Sequence, residues 1–387
     1  MHGYIKRLLE EKILNDLKFF PIVGIVGPRQ SGKSTLIKQL TQQQDRFLYL
    51  DLENPSDRNK LQDPLLFFSA NRSRTICLDE VQRTPQIFSV LRSVVDQTNN
   101  PGQFIVLGSA SPKLLRQTSE SLAGRIVYHV LTPFTIQEVG DQSNFSLHHF
   151  WLRGGFPRSY LAPTDDFSFR WRESFLQTFL ERDLHTFGFN LSPETVKRFL
   201  TMCAHYTGQV INFSQIGNAL SLSHNTIRNY TDLFVNTYLL RILRPYAANV
   251  KKRLVKNPKI YVRDSGLLHT LLGIRDFNDL LSHPAIGASW ETLALENIVS
   301  IFTDWEAYYY RTSNGAEIDL ILVKGNRRIA IEFKSSTAPS VSKGFLNSVH
   351  DLGITERWVI APIDDQYPGK HNILISGLQS FFNTFKV

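Results

Sequence analysis

One nine-residue segment constrains the fold of this chain more than any other. It reads Gly-Pro-Arg-Gln-Ser-Gly-Lys-Ser-Thr, follows an apolar run at residues 22–26 and precedes a helical pattern at residues 36–40. Glycines let such a loop curl so that successive backbone N–H groups point at a phosphate. Between a strand and a helix, this pattern is the Walker A motif. The sequence therefore predicts a nucleotide-binding loop formed by Gly27, Pro28, Arg29, Gln30, Ser31, Gly32, Lys33, Ser34 and Thr35.

A pair of acids supplies the second half of the predicted site. Lys33 is expected to reach the β- and γ-phosphates of ATP, and the Ser34 hydroxyl to bind Mg²⁺. The buried-strand pattern at residues 75–78 ends in Asp79 and Glu80. After a Walker A loop, these acids predict a metal-supporting Asp79 and a Glu80 that orients or deprotonates the attacking water. Because a protein that only binds nucleotide needs the first acid alone, the pair predicts ATP hydrolysis.

Two further polar positions are candidates for contact with the phosphates. Ser109 follows the apolar run at residues 104–107. Since ligands of doubly wound sheets bind at the carboxyl ends of the strands, Ser109 is predicted to sense the γ-phosphate, with a helix N-cap as the alternative. Arg125 precedes the apolar run at residues 126–130. It is predicted to act as an arginine finger, in a neighbouring subunit or in cis; the alternative is a surface arginine at a strand start.

Composition narrows the class of protein and its partners. The 387 residues suffice for two to four domains, and a net charge of +8 favours an anionic partner, nucleic acid first, with mild bulk basicity as the alternative. Cys77 and Cys203 are too few and too far apart for a disulfide framework, which indicates a reducing compartment. Residues 1–18 are rich in charge, and the apolar run at 19–27 is too short to span a bilayer. We expect a cytoplasmic protein without membrane contact.

The middle of the chain predicts a helical lid and then a winged helix. Residues 150–202 are helical and aromatic in pattern, typical of a packed core rather than a base-stacking surface. Residues 212–234 have the layout of a helix-turn-helix, with Asn225, Arg228, Asn229 and Asp232 facing outward. Residues 238–246 and 259–262 are predicted to form a wing, beside a basic group made of Lys251, Lys252, Arg253, Lys256, Lys259 and Arg263. This group predicts phosphate contacts with DNA; protein contacts or a solvated loop are the alternatives.

The last hundred residues place acids on adjacent predicted strands. A helix at residues 286–302 is followed by strands at 307–311, 317–323 and 328–334. If the last two strands pair, Asp319, Glu332 and Lys334 converge. Two carboxylates and a backbone carbonyl suit Mg²⁺, and the lysine would position a water for phosphodiester hydrolysis. The alternative is an inactive fold of this type that binds DNA or a partner.

Two resemblances extend these predictions. The Walker A loop, the strand end at residues 78–82, the segment 108–111, and residues 122–125 followed by 131–134 with Glu138 together resemble the AAA+ ATPases that carry a C-terminal DUF4143 domain. That likeness implies a P-loop sheet of the additional-strand catalytic-glutamate (ASCE) type, although many AAA+ proteins have Asn where this chain has Ser109. The spacing from Asp319 to Glu332-x-Lys334 resembles PD-(D/E)XK nucleases, with Ile318 at their Pro position. It implies that Glu291 supplies a further acid from the first helix, with Glu296 as second choice.

The predicted fold is an α/β P-loop NTPase sheet, followed by a helical lid, a winged helix and a PD-(D/E)XK nuclease-like α/β domain. The predicted boundaries are 1–140, 141–202, 203–282 and 283–387. The predicted function is a Mg²⁺-dependent AAA+ ATPase that couples ATP hydrolysis to DNA binding or processing as a homo-oligomer. The alternatives are an ATP-licensed, Mg²⁺-dependent DNA nuclease and a nucleotide switch that recruits proteins.

Overall fold

The chain folds into two compact units. The computed structural model describes residues 3–43, 45–98, 100–108, 122–183, 192–247 and 252–385. The first unit comprises Met1–Phe134 and Asn236–Tyr238, and the second comprises Thr135–Val235 and Leu239–Val387. Among the described residues, no helix combines the length and apolar character needed to cross a bilayer.

The first unit is built on a parallel sheet. Its described strands are β1 (Ile22–Val26), β2 (Phe47–Asp51), β3 (Thr75–Asp79), β4 (Phe104–Leu107) and β5 (Ile126–Val130). Its described helices are α1 (Leu9–Asp16), α2 (Lys33–Gln43), α3 (Pro55–Lys60), α4 (Pro64–Ala70) and α5 (Ile87–Thr98), with a 3₁₀ turn at Val81–Arg83. The strand order β2-β3-β4-β1-β5 inserts β4 between β1 and β3. This confirms the predicted P-loop NTPase fold with an additional strand.

Burial on both faces explains the apolar runs of this sheet. All five residues of β1 and of β3 are buried. Alternate residues enter two apolar layers: Ile22, Leu50 and Leu78 pack in one, and Val23 and Cys77 in the other. Parallel strands covered on both faces have continuous rather than alternating apolar sequences. Because β1 and β3 are both parallel to β4, their carboxyl ends lie at the same edge of the sheet.

The second unit begins with helices around an aromatic core. Its described helices are α6 (Ile136–Val139), α7 (Leu147–Arg153), α8 (Pro157–Tyr160), α9 (Asp165–Thr178), α10 (Pro193–His205), α11 (Phe213–Leu220), α12 (His224–Asn236), α13 (Ser265–Leu272), α14 (Phe277–Ser282), α15 (Ile286–Ile301), α16 (Lys343–Leu352) and α17 (Leu378–Phe385). A π-helical turn follows α9 at Phe179–Asp183, and a 3₁₀ turn lies at Lys370–Asn372. Phe156, Phe175, Phe199 and Phe234 are buried in one cluster, so these rings form a core as predicted.

The second helix of the predicted helix-turn-helix segment has an apolar buried face and the expected polar outer face. The Asn212 side chain caps α11, and the Ser223 hydroxyl accepts the amide of Thr226 at the start of α12. Four apolar or aromatic residues of α12 are buried, namely Ile227, Tyr230, Leu233 and Phe234. Four predicted outward residues are exposed, namely Asn225, Arg228, Asn229 and Asp232. The assignment of this segment to a winged helix stays a prediction.

One mixed sheet runs through the rest of the second unit. Its described strands are β6 (Gln209–Val210), β7 (Leu240–Pro245), β8 (Lys259–Val262), β9 (Glu306–Arg311), β10 (Glu317–Lys324), β11 (Arg327–Phe333), β12 (Glu356–Ile360), β13 (Gln366–Pro368) and β14 (Leu374–Ser376). Their order is β13-β14-β12-β11-β10-β9-β7-β8-β6. The predicted wing strands β7 and β8 pair antiparallel, and β7 also pairs in parallel with β9. The sheet is therefore continuous across the boundary predicted at residue 282, and the four-domain division stays a prediction.

Candidate functional site

The Walker A loop turns sharply between β1 and α2, and its backbone requires glycine. The φ angle is +153° at Gly27, +98° at Gly32 and +60° at Gln30. A Cβ at Gly27 would lie only 2.3 Å from the carbonyl oxygen of Leu131. A side chain at this position is therefore excluded both by its backbone conformation and by contact with the chain after β5.

A buried arginine near the N-terminus also holds this loop in place. Arg7 is 3% exposed; its Nη1 donates to the carbonyl oxygen of Ser31 at 2.9 Å and its Nη2 to that of Thr132 at 2.6 Å. These bonds tie the loop to the segment after β5. Sequence reasoning missed Arg7, because nothing in residues 1–18 marks this arginine among the other charged side chains.

Lys33 lies folded over the loop at the start of α2. Its Nζ donates to the carbonyl oxygens of Gly27 at 3.1 Å and Pro28 at 2.7 Å, and the side chain is buried. Burial lowers the pKa of this ammonium to about 8, although the nearby carboxylates of Glu80 and Asp79 act in the opposite direction. A buried cation whose two hydrogen-bond acceptors are neutral carbonyls is available to bind an anion.

A tyrosine connects the loop to the end of β3. The Tyr49 hydroxyl donates to Oδ2 of Asp79 at 2.6 Å, and it also forms a hydrogen bond with the Ser34 side chain. Burial and the neighbouring Asp79 raise the pKa of Tyr49, so it remains a donor. The Ser34 hydroxyl and the Asp79 carboxylate thus both lie within hydrogen-bonding reach of the Tyr49 hydroxyl oxygen. Hard oxygen donors of this kind are those that Mg²⁺ prefers, so the two residues fit the metal predicted for them.

Glu80 occupies a constrained position directly after β3. Its backbone is left-handed, with φ of +54° and ψ of +43°. Its carboxylate accepts a hydrogen bond from the Gln82 side chain, and its amide donates to Oδ1 of Asp79 at 2.9 Å. Burial and the charge of Asp79 raise the pKa of Glu80. A non-glycine residue held in this conformation is typical of functional sites, and the raised pKa suits a proton acceptor.

The loop also contains a buried hydroxyl that the described residues leave unsatisfied. Ser31 is fully buried, and no hydrogen-bond partner for its Oγ is found among them. A buried hydroxyl without a hydrogen-bond partner destabilises the folded state unless a ligand or water molecule bonds to it. Together with the nearby Lys33 ammonium, it fits the phosphate groups of a nucleotide.

Of the two remaining predicted ATPase residues, the described part of the chain includes only Arg125. Ser109 lies outside the described residues. Arg125 precedes β5 at the amino ends of the strands, where its carbonyl accepts the amide of Ile22 at 3.2 Å. Its guanidinium forms an ion pair with Asp96. Because the Walker A loop follows the opposite end of β1, the geometry does not support action of Arg125 in cis; a role in a neighbouring subunit stays a prediction.

The predicted nuclease residues are neighbours, but each carboxylate has protein partners. Asp319 accepts the amide of Phe333 at 2.9 Å through Oδ2. Glu332 contacts the Lys334 ammonium at 2.8 Å through Oε1 and the amide of Ser342 at 3.3 Å through Oε2. No group of three or more His, Cys, Asp or Glu side chains in the described part of the chain is arranged to hold a metal ion. The predicted Mg²⁺ site is not confirmed.

Glu291, the predicted acid from the first helix, lies in a cluster around Lys259 that Asp319 also borders. Its Oε1 accepts from the Tyr261 hydroxyl at 2.6 Å and from Lys259 Nζ at 3.1 Å. Burial raises the pKa of Glu291 to about 7, with Lys259 opposing and Asp319 adding to the shift. The second choice, Glu296, is instead an ion-pair partner of Arg241 and Arg263.

The predicted basic group is smaller than its sequence suggests. Lys259 is 2% exposed and lies among carboxylates, and Arg263 is bound to Glu296. Neither residue is therefore available to contact DNA phosphates, contrary to the prediction. Lys252 pairs with Asp351, and Lys251 lies outside the described residues. The exposed members that continue to support the prediction are Arg253 and Lys256. A run of positive residues in sequence does not distinguish a solvated cation from one that a distant acid has neutralised.

Comparison with known proteins identifies the family. The AAA_14 model, described as an AAA domain, matches residues 20–140, and DUF4143, a domain of unknown function, matches residues 286–381. Between them, DUF8612, also a domain of unknown function, matches residues 144–278. The uncharacterized protein Rv2008c of Mycobacterium tuberculosis is 39% identical over 356 residues, which are 92% of this chain and 78% of that protein. The chain belongs to the AAA ATPases with a C-terminal DUF4143 domain.

Other proteins match this chain with lower sequence identity. An uncharacterized protein of Haemophilus influenzae is 25% identical over 369 residues, which are 87% of each chain. The Walker-type ATPase PABY2304 of Pyrococcus abyssi is 13% identical and matches with a TM-score of 0.48, covering 70% of this chain and 96% of that one. AMPPCP-bound DnaA of Aquifex aeolicus is 15% identical with a TM-score of 0.32, covering 59% and 88%.

Proposed function

We propose that this AAA–DUF4143 chain binds and hydrolyses ATP with Mg²⁺ in its first unit and couples the nucleotide state to DNA binding by its second unit. The observation that carries the ATPase proposal is the joint placement of the loop, Ser34, Asp79 and Glu80 at one edge of a parallel sheet. Tyr49 supports it, because its hydroxyl contacts both proposed metal-supporting side chains.

Each side chain has a separate task in the proposed reaction. The Lys33 ammonium exchanges its bonds to the loop carbonyls for bonds to phosphate oxygens. Ser34 and Asp79 hold Mg²⁺, which neutralises charge that develops on the phosphates. Glu80 orients a water molecule and accepts its proton, while Gln82 holds the carboxylate in place. Ser109 and Arg125 remain the proposed sensor and trans-acting finger, and a trans finger needs at least a dimer.

The DNA part of the proposal rests on exposed polar side chains of the second unit. Asn225, Arg228 and Asn229 share the exposed face of α12, which begins directly after a tight turn from α11. Amide and guanidinium groups suit base edges and phosphates. Residues 203–282 are proposed as the winged-helix part of the unit, after a lid at 141–202 and before the DUF4143 part at 283–387.

The deciding experiment measures ATP hydrolysis in Mg²⁺ buffer with and without duplex DNA, with the same DNA then run on a gel. We expect hydrolysis that DNA stimulates while the DNA stays intact. Glu80→Gln should abolish turnover but retain ATP, whereas the control Glu11→Gln, at an exposed carboxylate of α1 that pairs with Lys6, should leave turnover unchanged. Turnover that survives Glu80→Gln would contradict the assigned role of Glu80.

A second measurement tests the DNA surface. Arg228→Ala should weaken DNA binding and make it less dependent on salt, because fewer counterions are released. Arg198→Ala removes an equally charged side chain that is 67% exposed and paired with Glu194 on α10, so it should not change affinity. DNA affinity that is independent of salt, or ATP hydrolysis that is indifferent to DNA, would favour a switch that recruits proteins.

A further inference from the structure

A single buried lysine is surrounded by the acids of the DUF4143 part. Lys259 comes from β8, and its Nζ lies 2.7 Å from Oε1 of Glu317, 3.1 Å from Oε1 of Glu291 and 3.7 Å from Oδ1 of Asp319. These acids come from β10 and α15. The lysine side chain is 2% exposed, so its charge is neutralised by protein groups rather than by solvent.

The second oxygens of Glu317 and Asp319 also have protein partners. Oε2 of Glu317 lies 3.5 Å from the Arg311 guanidinium, and Oδ2 of Asp319 accepts the amide of Phe333. Glu291 additionally accepts from the hydroxyl of Tyr261. The arrangement is thus a cation with its own hydrogen-bonding shell, closed by residues from strands and a helix that are distant in sequence.

This arrangement is incompatible with a resident Mg²⁺ at the same acids. Mg²⁺ demands near-octahedral oxygen ligands at about 2.0–2.1 Å and usually keeps several waters. Here the Lys259 ammonium occupies the space between Glu291, Glu317 and Asp319. Glu332 instead contacts Lys334 and the amide of Ser342. A metal ion would have to displace Lys259 and leave its charge without a partner in the interior.

We propose that the ammonium of Lys259 is the permanent cation of this carboxylate set, and that the DUF4143 part accordingly binds no divalent metal between Glu291, Glu317 and Asp319. The lysine instead fastens the strand β8 to α15 and β10. The nuclease-like acids then serve as an internal clamp between the proposed wing and the rest of the sheet.

The test is a titration of the nucleotide-free full chain with Mn²⁺, with free ion followed by electron paramagnetic resonance. Wild-type protein and Asp319→Asn should give the same curve. Lys259→Met should gain one site per chain, at least roughly tenfold tighter than any wild-type site, because three carboxylates lose their cation. Adding Asp319→Asn to Lys259→Met should remove that site.

Several results would overturn the proposal. A wild-type Mn²⁺ site that disappears in Asp319→Asn is one, and this comparison does not depend on whether the Lys259 variants fold. A folded Lys259→Met protein that gains no Mn²⁺ site is another such result. Lys259→Gln, which keeps a polar side chain, is used if the methionine variant does not fold. Lys324→Met removes an exposed lysine paired with Asp304 and should gain no site. A gain in that control would show that loss of charge alone suffices, against the proposal.

Discussion

Lys33→Met should make the nucleotide-free protein more stable while it abolishes ATP binding. A pKa lowered from 10.5 to about 8 means that the folded state disfavours the charged lysine by about 3 kcal/mol relative to the unfolded chain. Methionine fills the same space without that charge, but the bonds to the carbonyls of Gly27 and Pro28 are lost. We therefore expect the free energy of unfolding to rise by roughly 1–3 kcal/mol.

The pH dependence of this gain identifies its cause. Because the pKa of Lys33 is lower in the folded than in the unfolded state, the unfolded chain holds more of this proton between pH 8 and 10.5. Wild-type stability should therefore rise with pH across that window, and its difference from the variant should shrink. Saturating ATP with Mg²⁺ should reverse the order, since a ligand at 1,000 times its Kd stabilises by about 4.1 kcal/mol and the variant binds none.

The assay must report on the first unit alone. All five tryptophans lie beyond residue 134, so their fluorescence does not follow this unit. Cys77 in β3 is fully buried and reacts with a thiol reagent only after unfolding. Its labelling in a urea series, resolved by mass spectrometry from that of Cys203 in the second unit, measures the required free energy. Lys38→Met on the same helix is the matched control, because its ammonium is exposed over the ring of Tyr49. It should change stability by less than about 1 kcal/mol. A Lys33→Met protein that is less stable than wild type, or a difference that does not vary with pH, would refute the reasoning.

Three other outcomes can be checked directly. Glu80→Gln should reduce the rate of phosphate release by roughly 100-fold or more while ATP still binds, as measured by nucleotide retention. Glu296→Ala should cost roughly 3–5 kcal/mol in the second unit, because two partly buried arginines lose their carboxylate; urea unfolding followed by tryptophan fluorescence measures it. Burial raises the pKa of Glu296, but the two arginines outweigh it and lower that pKa below 4.5. The stabilisation of the fold by Glu296 is therefore present above about pH 4.5 and is lost as the pH falls. Acid titration of wild type and variant tests this. Gly27→Ala should abolish nucleotide binding, since its Cβ would meet the carbonyl oxygen of Leu131; a variant with wild-type affinity for ATP would contradict this.

The elements were largely predictable where the signal is local. The strand predicted at residues 22–26 is Ile22–Val26, and the helix predicted at 286–302 is Ile286–Ile301. The strands carrying Asp319 and Glu332 also formed within a residue of their predicted bounds. Apolar runs with flanking glycines and acids determine such elements, because backbone hydrogen bonding and burial act on neighbours in sequence.

The interactions between distant residues were not predictable in the same way. Lys259 was interpreted as one member of a basic surface group, although it is buried against acids 32 to 60 positions later. Tyr49 carried no signal, since a tyrosine in a strand is common and its contact with Asp79 arises only from the parallel pairing of β2 and β3. Local composition records which charges a chain has; the tertiary fold decides which of them meet.

The pairing of β7 with β9 affects how the second unit folds while the chain is being translated. The strands of the first unit are all complete by Val130, so during synthesis that unit can close its sheet early. In the second unit β7 has to wait for Tyr308 and Tyr309, more than 60 residues later, before its second edge is paired. At about 5–20 residues per second, this leaves an open strand edge on the nascent chain for roughly 3–13 seconds. Fragments ending near residue 282 should therefore aggregate, and chaperones should meet this protein at that stage of translation.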